Sequence, residues 1–411
     1  MPLPISAFDI SEGEFHRRLA QPRAQGQWLW PEIRIEDWRV AREMITRALA
    51  EVLIEGSANT RLEGDPQVMS VAAYTAGIGP LIGWWIAAKR IVASEPIAAL
   101  FDLHLRHNRL RMERLRASAK EILAALAQAD IAATVLKGMH TAFVYFPDPA
   151  TRPTSDIDLL VRAADAERAS TYFREAGFVR THWQATEESW ALPDMPATPR
   201  SLSLVHADDP WVVDLHNSLD YWPRKTVAAA RIGRCALTSV RPILQEDLPG
   251  TVLAQPTLLL HLAVHASHST VNLTPLRMAE LVWVIRRDME AGDLSWRDFV
   301  EAARQAGALG IVYPALYFTE RLVPGIVPAT VLEASAVAAP GGVRRHVERL
   351  TPATAQRIDR ISLSEHFMWS DGWLAIGGQI VRDISRAFST RGAWNLYWDH
   401  AARLFQPRFS R

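Results

Sequence analysis

The chain of 411 residues is 49% hydrophobic and 22% charged, which is long enough for two or three domains at roughly 150 residues each and typical of a folded globular protein, not a disordered one. Its 45 Lys+Arg balance 45 Asp+Glu, so no global field draws it toward nucleic acid or an anionic membrane, and neither is favoured as a partner. A single cysteine, Cys235, excludes an internal disulfide and a cysteine zinc cluster and fits a reducing, cytoplasmic setting.

Met1-Pro2-Leu3-Pro4-Ile5-Ser6 lacks a charged start followed by an apolar core, so no secretory signal is expected. The most apolar window, residues 78–92, is broken by Lys89 and Arg90 well short of the roughly 20 residues of a membrane span. A helical period runs over residues 37–54, and long helices are predicted from 66 to 129, the last of them amphipathic over 98–129. At Ile131 the period changes: Ile131-Ala132-Ala133-Thr134-Val135-Leu136 reads as a strand ended by Lys137-Gly138, followed by a helix over 139–146 and a turn at Pro147-Asp148-Pro149. A strand at Asp156-Ile157-Asp158-Leu159-Leu160-Val161 precedes an amphipathic helix over 164–176, closed by Gly177, and a strand over 178–183. Residues 201–206 and 211–216 flank Ala207-Asp208-Asp209-Pro210 as a β-hairpin would. From Pro256 the helical period returns. The expected organisation is α+β: a mostly helical region over 1–129, a small mixed sheet over 130–250 and a helical domain over 251–411.

Of 15 tryptophans, Trp369, Trp373, Trp394 and Trp398 fall in the last third. They suit either an interface or the interior of a helical domain, and the amphipathic spacing of Asp371, Arg382 and Asp383 favours the interior.

The chemistry concentrates between residues 136 and 216. In a strand, Asp156 and Asp158 point to one face and Ile157 to the other. Two carboxylates held side by side repel unless a cation lies between them, and hard cations prefer carboxylate oxygen. Asp214, within Val212-Val213-Asp214-Leu215-His216, supplies a third carboxylate if its strand lies beside the first. Three carboxylates around metal ions suit phosphoryl or nucleotidyl transfer.

Leu136-Lys137-Gly138, Tyr145, Arg152, Asp156-Ile157-Asp158-Leu159-Leu160-Val161 and Val213-Asp214-Leu215-His216 together resemble the uncharacterised nucleotidyltransferase family of the DNA polymerase beta superfamily, over roughly residues 66–320. The resemblance implies a small mixed sheet with a helix pair, then an α-helical domain. It implies Mg²⁺ (or Mn²⁺) held by Asp156, Asp158 and Asp214, and attack of an acceptor hydroxyl, on a small molecule or a protein, on the α-phosphate of a nucleoside triphosphate. It also implies nucleotide contacts from Lys137, Gly138, Arg152 and Ser155. Better-known superfamily members carry Gly-Ser at the end of the first strand, where this chain has Gly138-Met139; the hydroxyl then falls to Thr141, or to Thr154 and Ser155.

Alternatives stand beside this reading. Lys137 also suits a strand end, Arg152 a partnership with Asp148, and His216 the mere end of its strand. His261, His265 and His268 share a helix face at spacings of four and three, which suits zinc, an ordinary helix face or the wall of a nucleotide cleft; Leu262 stands where a zinc helix carries glutamate. The competing functions are a nucleotide-binding regulatory protein without turnover and a zinc hydrolase.

Overall fold

The computed structural model describes residues 33–196, 198–201, 203–221, 230–233, 239–243, 248–269, 272–356, 368–370 and 377. Met1 to Ser6, Cys235, Trp373, Trp394, Trp398, Asp371, Arg382 and Asp383 lie outside them. Among the described residues four helices come first: α1 (Ile35–Glu55), α2 (Pro66–Ala76), α3 (Gly79–Ala87) and α4 (Glu95–Gln128). After β1 (Thr134–Val135) come α5 (Lys137–Val144), β2 (Asp156–Leu160), α6 (Ala166–Glu175), β3 (Val179–Gln184), β4 (Glu187–Ala191) and β5 (Val212–His216). The short strands β6 (Asp220–Tyr221), β7 (Ala230–Arg231), β8 (Val240–Pro242) and β9 (Thr251–Leu253) lead to α7 (Thr257–Ser267) and α8 (Pro275–Glu290). The last described helices are α9 (Trp296–Gln305), α10 (Tyr313–Leu322), α11 (Ala329–Ala338) and α12 (Gly341–Val347). The fold is α+β, as expected. Among the described residues no helix is long and apolar enough to cross a membrane.

One mixed seven-stranded sheet runs β3-β4-β5-β2-β1-β9-β8, and β6 pairs with β7 apart from it. The central pair, β2 and β5, is parallel, with Asp158 opposite Asp214. Ile157, Leu159, Val213 and Leu215 are buried in a core shared by the sheet, α6 and the second half of α4, through Met112, Leu115, Ile122 and Leu126. A larger core joins α1–α3 and the start of α4 (Ile97, Phe101) to α7–α12. Helix α4 thus ties both cores together, its apolar stripe continuing from one to the other. Trp369 is buried in the larger core.

Two local expectations are corrected. The first concerns the hairpin: β5 pairs not with 201–206 but with β4, and the tight hairpin is β3–β4, joined by Ala185-Thr186. Asp209 explains the difference, because its carboxylate accepts the amide N–H groups of Arg200 (2.6 Å) and His206 (2.8 Å). Two backbone amides of the 200–209 loop are thus satisfied by a side chain and not by β5. The second concerns Lys137-Gly138, which does not end a strand but forms the first turn of α5; β1 is only Thr134–Val135. Gly177 closes α6 as predicted, at φ +86°, a conformation that costs glycine nothing.

Candidate functional site

The parallel register of β2 and β5 gathers Asp156, Asp158 and Asp214 on one sheet face, with one carboxylate oxygen from each within 4.8 Å of the others. Among the described residues this is the one group of three His, Cys, Asp or Glu side chains whose candidate ligand atoms converge. The oxygens are hard donors and fit a hard divalent cation. Asp158 is 1% exposed, so its charge needs partners. Lys137 Nζ donates to Asp158 Oδ2 at 2.5 Å and to Asp156 Oδ2 at 3.5 Å, and His216 Nε2 lies 3.2 Å from Asp158 Oδ1. His216 therefore does more than end its strand: it stands between Asp158 and Glu187, whose Oε2 is 3.6 Å from its Nδ1.

Electrostatics separate the three acids. Burial alone would raise the pKa of Asp158, but Lys137 and His216 outweigh it and hold the carboxyl well below the usual range. Asp214 has no such cation; burial, with the Asp158 charge beside it, raises it to about 6, although the Ser189 hydroxyl donates to it at 2.6 Å. Burial would lower Lys137, and the two aspartates reverse this and raise it.

Behind the acids lies a second charged layer. Arg152 is 1% exposed and its guanidinium binds Glu280 Oε1, Nε at 2.9 Å and Nη2 at 2.8 Å. Asp148, considered as a partner for Arg152, instead caps the 3₁₀ turn Pro149–Thr151 by accepting Ala150 N–H. Arg277, one turn before Glu280 on α8, donates to Glu280 Oε2 at 3.0 Å, and Thr141 donates its hydroxyl to Glu280 Oε1. Burial would raise Glu280, but Arg152 and Arg277 outweigh it and hold it at about 2. This buried cluster joins the β2 approach and α5 to α8. Arg277 keeps 21% of its side chain exposed. Burial would lower its pKa, but Glu280, then the charges of Asp156 and Asp158, outweigh it and raise it.

Gly138 is buried in the first turn of α5. A Cβ there would collide with the Thr154 hydroxyl and crowd Arg152; close packing is what requires glycine at this position. Thr154 donates to Asp156 Oδ1 at 3.1 Å. Ser155 is exposed and lines a cleft together with Asp156 and Asp214, whose lining does not include Lys137.

His261 and His265 on α7 and His268 at its C-cap are not among the described side chains whose candidate ligand atoms converge. They line up against Tyr221, whose ring centroid is 5.9, 6.3 and 5.4 Å from those of His261, His265 and His268. Burial keeps all three neutral, His261 falling to about 3, and Lys137 contributes to each. Asp158 in turn acts on His261 and on Tyr221, whose hydroxyl burial pushes upward. The helical half of the protein thus walls the same site.

Arg111 on α4 had no signal in sequence. Its Nε donates to Thr154 O (2.9 Å), Nη1 to Asp209 O (2.5 Å) and Nη2 to Pro210 O (2.7 Å). Those carbonyls belong to the stretches leading into β2 and β5, so one planar fork holds both approaches to the acid cluster.

A family model described as uncharacterised nucleotidyltransferase matches residues 65–324, a span from α2 to α10 that contains every residue of this site. No curated protein matches the chain.

Proposed function

The chain belongs to the uncharacterised nucleotidyltransferase family, and from that premise we propose that it transfers a nucleoside monophosphate from a nucleoside triphosphate to a hydroxyl acceptor, in a Mg²⁺- or Mn²⁺-dependent reaction. The observation that carries the reading is the convergence of Asp156, Asp158 and Asp214 from register-matched parallel strands. These three residues would hold the metal, which when bound neutralises phosphate charge and stabilises the attacking and leaving oxygens.

Lys137 and Arg277 are the cations that face the acids, and the N-terminus of α5 adds partial positive charge beside them; this side of the cluster takes the triphosphate. Arg152, sealed against Glu280, acts by fixing α8 and with it Arg277. The wall of Tyr221 and the neutral histidines borders the nucleotide. The acceptor oxygen forms a bond to the α-phosphorus while the bond from that phosphorus to the bridging oxygen breaks. Pyrophosphate departs with the bonding electrons, and Asp214, whose pKa burial and the Asp158 charge raise, helps take the hydroxyl proton.

Incubation with each α-labelled triphosphate and a small-molecule extract should label an acceptor and release pyrophosphate. Activity that survives Asp156→Asn and Asp158→Asn unchanged would sink the proposal. The rival reading, nucleotide binding without turnover, draws on Met139, buried in the core where better-known relatives carry the phosphate-holding serine. Tight triphosphate binding by calorimetry with no pyrophosphate released under any condition would favour it.

A further inference from the structure

The acid cluster has a second neighbour that the triphosphate does not use. Asp156 and Asp214 form one side of an open cleft of about 670 Å³, within the size range of small-molecule sites. Leu192, Met195, Pro210 and Trp211 supply apolar walls, and Ser155 and Thr181 supply hydroxyls. Among its described lining residues the two aspartates are the only charged groups. Arg111 runs behind Pro210, but it is 2% exposed and its three donor nitrogens are committed to carbonyls. Lys137, Arg277 and the α7 histidines are absent from the lining.

We propose that this cleft is the acceptor subsite and that it admits a small hydroxyl-bearing molecule with a ring or other apolar face and no anionic group. An anion entering here would lose water against Trp211 and Met195, meet two carboxylates and find no cation among the described lining residues, a desolvation left uncompensated. A neutral ring gains apolar contact on Trp211 while its hydroxyl reaches Asp214, which lines the cleft and belongs to the acid cluster as well. Transfer to that hydroxyl rests on the nucleotidyl-transfer reading; selective binding does not.

The test separates the two. Saturation-transfer NMR on the full chain in EDTA would use matched pairs: benzyl alcohol and benzoate, 2-(4-hydroxyphenyl)ethanol and 4-hydroxyphenylacetate, phenyl glucoside and phenyl glucuronide. The neutral members should bind, and the carboxylates should bind at least about tenfold more weakly, which corresponds to about 1.4 kcal/mol. Trp211→Ala should weaken the neutral members. Thr181→Arg, on exposed strand β3, should bring a cation to the rim and shrink the neutral preference about threefold or more. Equal binding of the carboxylates, neutral signals unchanged in both variants, or no binding by any member would overturn the proposal. The binders are then offered as acceptors with α-labelled triphosphates. Selective binding with no transfer to any of them counts against the transfer reading and leaves the cleft's selectivity standing, whereas preferred transfer to the carboxylate members overturns the cleft's assignment.

Discussion

On one flank of Asp156, Asp158 and Asp214 stand Lys137, Arg277 and a wall of neutral imidazoles; on the other, Trp211, Met195 and Pro210 border a cleft whose only charged described lining residues are two of those same acids. The cationic flank is interior. Lys137 and Arg152 are at least nine-tenths buried, and the Arg152–Glu280 pair is sealed between strand approach and helix, with Arg277 partly exposed beside it. The cleft flank is open and rests on the β3–β4–β5 end of the sheet, where the edge strand β3 is exposed along its whole length. A polyanion needs preorganised charge, which a buried layer supplies without reorganisation; an acceptor of varied shape needs access, which a sheet edge and loops supply.

Breaking the shared boundary should have the largest effect. Asp158→Asn should cost about a thousandfold or more in transfer rate, since metal-borne charge stabilisation is worth several kcal/mol. It should also abolish Mn²⁺ binding followed by electron paramagnetic resonance, with the circular dichroism spectrum retained. Wild-type Mn²⁺ affinity in this variant would detach the acids from the metal.

Next comes the buried layer. Glu280→Gln should destabilise the protein by about 3 kcal/mol, because two arginines lose their buried counter-charge. Glu280 is held at about 2 when folded against an ordinary value of 4.5. Its contribution is therefore complete above pH 4.5 and is lost as pH falls toward 2. The melting-temperature gap between parent and variant should be widest near neutrality and close in acid. A gap that does not vary between pH 6 and 2.5 would place the stabilisation elsewhere.

Lys137→Met sharpens the contrast by sign. Lys137 occupies an Asp158 oxygen, so without nucleotide the variant should bind Mn²⁺ several-fold more tightly, while triphosphate affinity drops about tenfold, the order of one charge-assisted contact. Calorimetry for both ligands checks this; weaker metal binding in the variant would overturn it. The smallest effect is expected from Ser155→Ala. Its side chain is exposed on the cleft flank, so triphosphate binding should shift less than about twofold, and any kinetic change should appear in the acceptor KM. A tenfold loss of triphosphate affinity would erase the division between flanks.

Much of this site is local and was legible. Asp156-Ile157-Asp158 reads as a strand pair because alternation is fixed by backbone geometry, and Asp214 sits in an equally apolar β-favouring run. The histidine face on α7 follows from the 3.6-residue period. The hairpin partner of β5 was misread because 201–206 has strand composition while β4, Glu187-Glu188-Ser189-Trp190-Ala191, opens on two adjacent glutamates and is reached through a turn without glycine or asparagine. Lys137-Gly138 was read as the end of a strand because a strand-ending glycine and a glycine packed under a threonine look identical in one dimension.

By itself, the sequence determined the periodic elements, the α+β class, the paired carboxylates and their shared face, since each depends on residues within a few positions of one another. Only the tertiary structure decided who neutralises whom. Glu280 meets Arg152 across 128 positions and Thr141 across 139, Arg111 reaches Pro210 across 99, and His216 finds Asp158 across 58. Such partnerships follow from burial, which makes an unpaired charge costly but leaves the identity of its partner to the packing of distant helices and strands.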